Sequence, residues 1–180
     1  MAKSAGLHIV TALGLLLLAL LIHILPLSER TSLFLARFLV TLFASMTAGI
    51  LCGEGYAVLI SLLVPAAAWY LSQELVSFPS AYIQEAAHAL AGGLTASLFY
   101  RFFKGPVSAC FAGVLMSRII FGLTGLILSL VFRTTFSFTD FYHDGIFTVW
   151  PGLVLCGIVL PAMIHLFRAA GLMFYFRDES

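Results

Sequence analysis

The sequence predicts an all-α integral membrane protein, a bundle of about six transmembrane helices, and three observations predict it. Of 180 residues, 62% are hydrophobic and 9% charged, whereas a soluble domain carries charge on about a quarter of its residues. Mean hydropathy is +1.09. The apolar runs last roughly 20 residues, the length a helix rising about 1.5 Å per residue needs to cross the hydrocarbon. A strand reading fails because the runs do not alternate and exceed the roughly 10 residues of a barrel strand.

Breaking the chain where Pro, Gly and charge interrupt the runs gives spans near 7–27, 32–51, 56–75, 80–103, 107–132 and 146–175, all within one membrane domain covering 1–180. The first follows Lys3 and has no small-residue cleavage site behind it, so it is read as a retained span and not a signal peptide. The second starts after Ser28-Glu29-Arg30 and stops at Cys52-Gly53-Glu54-Gly55. Ser77-Phe78-Pro79 ends the third, Lys104-Gly105-Pro106 ends the fourth, and the longer Arg133 to Gly145 segment separates the fifth from the last. Lys3, Arg101, Lys104 and Arg177 fall on one side of this arrangement and Arg30 and Arg133 on the other. Basic residues favour the cytoplasmic side, so both termini are expected there.

Charge and cysteines exclude several classes. The formal charge is +1, with nine Lys and Arg and no basic run to follow a phosphate backbone, so nucleic acid is not an expected partner. Cys52, Cys110 and Cys156 stand apart in apolar segments without a C-x-x-C, which points to buried thiols and not to a disulfide framework or zinc site. Small residues recur at helix-facing spacing in Ser45, Gly49 and Gly53, in Ala89, Gly93 and Ser97, and in Ala109, Gly113 and Ser117. Such stripes let helix backbones approach in lipid, inside this chain in the first instance, or against another membrane subunit.

Ionisable residues within spans are informative because each costs about 2.5–3.5 kcal/mol at the bilayer centre. By helical rise, Arg37 lies roughly 8 Å below the outer end of its span, and Glu85 and His88 roughly 8 and 12 Å below theirs. Arg118 sits near mid-depth, with a stem long enough to reach toward Glu85. Trp69, Tyr70, Tyr82 and Trp150 share the outer level, while Arg101 and His165 fall near the inner interface. The outer half is therefore polar and aromatic and the inner half largely Leu, Ile, Ala and Gly. That asymmetry fits an outward-opening pocket for a small, partly polar, ring-containing ligand. The competing structural reading makes Glu85 and Arg118 an interhelical pair, lets Arg37 snorkel, and places the aromatics in an interfacial belt.

Glu85-x-x-His88 has the spacing of a bundle di-metal motif, but a second copy is missing, so no metal is expected. No cofactor is expected either. The absence of H-E-x-x-H, G-x-S-x-G and a G-x-x-x-x-G-K-[ST] loop gives a metalloprotease, a serine hydrolase or a P-loop ATPase no support in this sequence.

The order of several segments resembles the substrate-binding S component of energy-coupling factor (ECF) vitamin transporters, over roughly residues 40 to 170. Ala48-Gly49-Ile50-Leu51-Cys52-Gly53 followed by Gly55-Tyr56-Ala57-Val58-Leu59-Ile60-Ser61 is similar to that family's small-residue hairpin. Glu85-Ala86-Ala87-His88-Ala89-Leu90-Ala91-Gly92-Gly93-Leu94, ending in Phe99-Tyr100-Arg101, resembles its fourth span. Ser117-Arg118-Ile119-Ile120-Phe121-Gly122 resembles its fifth, and Pro151-Gly152-Leu153-Val154-Leu155 through Pro161 the start of its last. The resemblance implies a multi-pass protein of the bacterial cytoplasmic membrane that captures a vitamin or related micronutrient from outside. It implies delivery to a membrane T component and two cytoplasmic ATPases, with no enzymatic activity of its own. Under it, Arg118 and Glu85 would fix polar groups of the ligand, Trp69, Tyr82 and Trp150 would pack on its rings, and His88 and Arg37 would add hydrogen bonds. The family docks through a small-residue stripe on its first span; here Ala12, Gly14 and Ala19 are present without a clean Ala-x-x-x-Ala. The rival readings are a membrane scaffold subunit without a small ligand, a stand-alone secondary transporter, and a membrane enzyme resting on Glu85 and His88.

Overall fold

A computed structural model describes residues 2–24, 39–71, 80–133 and 135–169. Helix α1 spans Ala2–Ile24, α2 Val40–Cys52, α3 Glu54–Leu71, α4 Ser80–Phe103 and α5 Pro106–Phe132. A short α6, Phe138–Tyr142, runs into a π-helical turn, His143–Phe147. The last rod is composite: α7, Trp150–Val154, a second π turn, Leu155–Val159, and α8, Leu160–Ala169. Among the described residues the structure is all helical.

Two helices, Pro106–Phe132 and the composite Trp150–Phe167, are long and apolar enough to cross a membrane. His8–Ile22, Val40–Cys52 and Glu54–Tyr70 are shorter apolar helices. The expected second and third spans, 32–51 and 56–75, extend outside the described residues, as does the end of the last. Helix α4 has the length, at 24 residues, but Gln84, Glu85, His88 and Arg101 lower its hydropathy.

Two tight turns set the order of the helices at one end of the bundle, here the lower end. Gly53 joins α2 to α3 at φ 107°, ψ 169°, a conformation in which a Cβ would clash, and its N–H caps the carbonyls of Ala48 and Gly49. Lys104 takes a left-handed φ of 51° before Gly105, and Pro106 opens α5 at a position where its missing N–H breaks no helical bond. Arg101 reaches back across this end to Glu54, 3.5 Å away, at the start of α3. The second π turn has a local cause. Pro161 has no N–H to donate to Gly157 and its ring crowds that carbonyl, and Leu160 instead donates to Leu155, five residues back.

Helix α2 is the shared wall of the bundle. Leu42, Met46 and Ile50 form one core with Ala96 of α4, Cys110 of α5, Cys156 of the π turn and Leu160 and Ile164 of α8. Its other side, Ala44 and Ala48, packs with Ala19 of α1 and Ile60 and Val64 of α3. All three small-residue stripes are buried inside the chain. A Cβ at Gly49 would lie 2.8 Å from the Gly93 carbonyl oxygen, and one at Gly113 would lie 2.8 Å from that of Gly92. The helices therefore touch backbone to backbone, the close approach that facing small residues permit. Cys52, Cys110 and Cys156 are free and buried.

Candidate functional site

The site lies in the upper half of the α4–α5 pair, the most extensively packed helices among the described residues. Helical spacing puts Gln84, Glu85 and His88 on neighbouring positions of one side of α4. Ser117, Arg118 and Phe121 do the same on α5. Arg118 is only 7% exposed and His88 5%. Arg118 Nη2 stands 3.3 Å from His88 Nδ1. Because a guanidinium can only donate, that imidazole nitrogen must be the unprotonated acceptor. Arg118 Nε donates to Ser117 Oγ at 3.2 Å, and Nη1 donates to the Gly145 carbonyl at 3.0 Å. The guanidinium carbon lies 5.3 Å from the Phe121 ring centroid. That ring meets His88 edge-on at 5.8 Å.

Glu85 accepts a hydrogen bond from the Thr41 hydroxyl of α2 at 2.5 Å. Gln84 donates to the Phe121 carbonyl at 2.9 Å, tying α4 to α5 one turn above Arg118. Below them Ser45 Oγ lies 2.7 Å from Ser61 Oγ and donates to the Ala89 carbonyl at 3.1 Å, linking α2, α3 and α4. Polar groups buried in an apolar bundle need such partners.

The segment after α5 folds back over this cluster. Ser137 opens α6 with a reciprocal cap: Asp140 N–H donates to Ser137 Oγ at 3.2 Å, and Ser137 N–H donates to Asp140 Oδ2 at 2.7 Å. Three phenylalanines seat over glycines. Phe136 lies on Gly125, where a Cβ would meet its ring at 2.5 Å; Phe141 lies on Gly122 at 3.0 Å, and Phe121 on Gly145 at 3.1 Å. The π turn buries Gly145 and leaves His143, Asp144, Ile146 and Phe147 exposed. Between α5 and this segment runs a groove of about 330 Å³ lined by Ile119, Leu123, Leu126, Phe136, Phe138 and Phe141. Its apolar lining does not suit a water-soluble ligand.

Of the residues singled out in the sequence, Glu85, His88 and Arg118 lie in this region, and the structure joins His88 directly to Arg118. Tyr82 is half-buried one turn above Glu85. Trp69 and Trp150, expected to pack on a ligand ring, are exposed, Trp150 to 60%, a placement that matches aromatics of an interfacial belt. Arg37 lies outside the described residues. On α1, Ala12 and Ala19 are buried against the bundle, whereas Gly14 is exposed with nothing within 4 Å of a Cβ there. The three therefore do not form one outward stripe. Among the described residues no group of three metal-ligating side chains occurs around Glu85 and His88 or elsewhere.

Sequence reasoning missed Thr41, Gln84 and Gly145. Thr41 and Gln84 are neutral and raise no depth cost. Gly145 contributes a backbone carbonyl, which residue type does not reveal. The glycine pair Gly122 and Gly125 late in an apolar run was the available signal that something large packs there. Comparisons with family models, characterised proteins and solved structures return no match.

Proposed function

We propose that this chain is a six-span S component of an ECF-type transporter in the bacterial cytoplasmic membrane. In this reading it captures a vitamin or related micronutrient from outside and passes it to a membrane T component driven by two cytoplasmic ATPases. The observation that carries the reading is the buried Arg118–His88 pair in the upper half of α4 and α5, closed by a turn that lends Arg118 a backbone carbonyl. A guanidinium is expensive to place in an apolar bundle, and purely structural needs are met more cheaply by apolar packing of the same volume. Binding accounts for its presence. Arg118, His88 and Glu85 would orient polar groups, Phe121 and Tyr82 would offer ring faces, and the 135–147 segment would screen the site.

Burial of all three small-residue stripes within the chain weakens the scaffold reading, since it leaves those stripes no surface to offer. For docking on the T component, α1 presents Val10, Leu13, Gly14, Leu17 and Leu21. The test is native mass spectrometry of the tagged protein purified gently from its host's membranes. Two ATPases, a larger membrane subunit and a vitamin-sized adduct are expected; a bare chain or unrelated partners would overturn the proposal.

A further inference from the structure

Resting on that reading, we infer that Arg118 receives an anionic group of the ligand, a carboxylate or phosphate on a ring-bearing molecule, in the place now held by the Gly145 carbonyl. The three hydrogen bonds of the guanidinium to described residues all end on uncharged acceptors: Ser117 Oγ, His88 Nδ1 and Gly145 O. A guanidinium carries five N–H donors in a fixed fork matched to two oxygens of one anion. Neutral acceptors satisfy its N–H groups without a direct ion pair, in a site where the dielectric is low, so an incoming anion gains more there than at the surface.

The three acceptors differ in how firmly they are held. Ser117 and His88 are on α5 and α4, locked by backbone contacts such as Gly92 on Gly113. Gly145 belongs to a five-residue π turn with exposed neighbours on both sides, tied locally by the Thr148 N–H donating to His143 O at 2.7 Å. Displacing the Gly145 carbonyl therefore disturbs one short turn, whereas displacing the others disturbs the helix pair. Phe121 fixes the guanidinium from one side at 5.3 Å and provides a flat apolar wall beside the vacated position. Glu85 is engaged by Thr41 on α2.

Benzoate and benzamide are the probes, since they are close in shape and differ in charge. The full-length protein in detergent is titrated with each, following thermal unfolding and amide hydrogen exchange. Benzoate is expected to raise the unfolding midpoint with an apparent affinity about tenfold or more above benzamide, the scale of one charge-assisted bond. It is also expected to speed exchange at 145–148. Equal responses to the two, a response to neither, or unchanged exchange in the turn would overturn the inference. Arg118→Gln should abolish the benzoate response, and Arg118→Lys, which keeps the charge and loses the fork, should retain only part of it; a full response in Arg118→Gln would also overturn it. The wild-type comparison stands if either variant fails to fold. A preparation that carries the two ATPases but shows no preference for benzoate would overturn the anion site alone.

Discussion

Arg118 Nη1 donates to the carbonyl of Gly145 at 3.0 Å, joining the middle of α5, the longest of the described helices, to a short turn 27 residues further along the chain. This bond and the Phe121–Gly145 contact hold the turn down. Arg118→Ala removes the donor, leaves that buried carbonyl unmatched and deprives His88 of its partner, which costs about 1–3 kcal/mol when an acceptor is orphaned. Thermal unfolding in detergent should show a loss of that size, with exchange accelerated at 143–148 well before the helices open. Loss of stability without local loosening of the turn would contradict the coupling.

The cap on α6 predicts a pH dependence. Ser137 donates both its N–H and its hydroxyl to Asp140 Oδ2, at 2.7 and 2.8 Å, and these bonds, the backbone one first, hold the exposed Asp140 carboxyl below its ordinary value of 3.8. A carboxyl depressed in the folded state contributes stability that is fully present above the unfolded value and fades as pH falls through the folded one. The cap should therefore stay intact at neutral pH and weaken only below about pH 4, as Asp140 protonates. Carboxyl carbon NMR of the protein in micelles should show Asp140 titrating higher in Ser137→Ala, part of the way back to its ordinary value. An unshifted titration would show that the hydroxyl bond is not formed.

How much of this was legible in the sequence depends on which residues carried a cost. Arg118, Glu85 and His88 stood out because charge at depth is expensive, but helical rise set Arg118 against Glu85, whereas the structure bonds it to His88 and gives Glu85 the Thr41 hydroxyl. The stripes through Gly49, Gly93 and Gly113 stood out because their spacing matches a helix face, and they are buried where that periodicity put them. Trp69 and Trp150 were over-read: an aromatic at the same height suits either a ligand wall or the bundle surface, and only packing distinguishes the two. The fold-back of 135–147 was illegible because the information lies in pairings, Phe136 with Gly125 and Phe141 with Gly122, that join segments with no shared periodicity. The π turn before Pro161 went unread, because the last apolar run reads as one continuous span and the effect of the missing proline N–H was not weighed.

Two glycines of the same type should respond oppositely to alanine. At Gly113 an added Cβ would lie 2.8 Å from the Gly92 carbonyl oxygen and 2.9 Å from the Ala96 Cβ, so α4 and α5 must separate. Overpacking of this kind costs about 1–3 kcal/mol. At Gly14 nothing lies within 4 Å, and exchanging glycine for alanine in an open helical position gains up to about 1 kcal/mol. Thermal unfolding of Gly113→Ala and Gly14→Ala, read side by side in the same detergent, should move in opposite directions. A common shift would mean that α4 and α5 are not in backbone contact.

Ser45 and Gly93 offer a sharper test, because one clash can be removed from either side. A Cβ at Gly93 would come within 2.0 Å of Ser45 Oγ and 3.1 Å of Ser45 Cβ. The hydroxyl cannot simply turn away, being placed by Ser61 Oγ at 2.7 Å and the carbonyls of Ala89 and Ala57 at 3.1 and 3.3 Å. Gly93→Ala must therefore expel the hydroxyl from its network and should be among the most damaging single methyl additions to the bundle. Ser45→Ala alone gives up the network, worth about 0.6 kcal/mol per interhelical bond in a membrane. The double variant has no hydroxyl to expel and keeps the 3.1 Å contact and one of 3.2 Å with Ala57 Cβ, so it should be more stable than the sum of the two single losses by about 1 kcal/mol. Strict additivity in that cycle would mean that α2 and α4 do not meet at this pair.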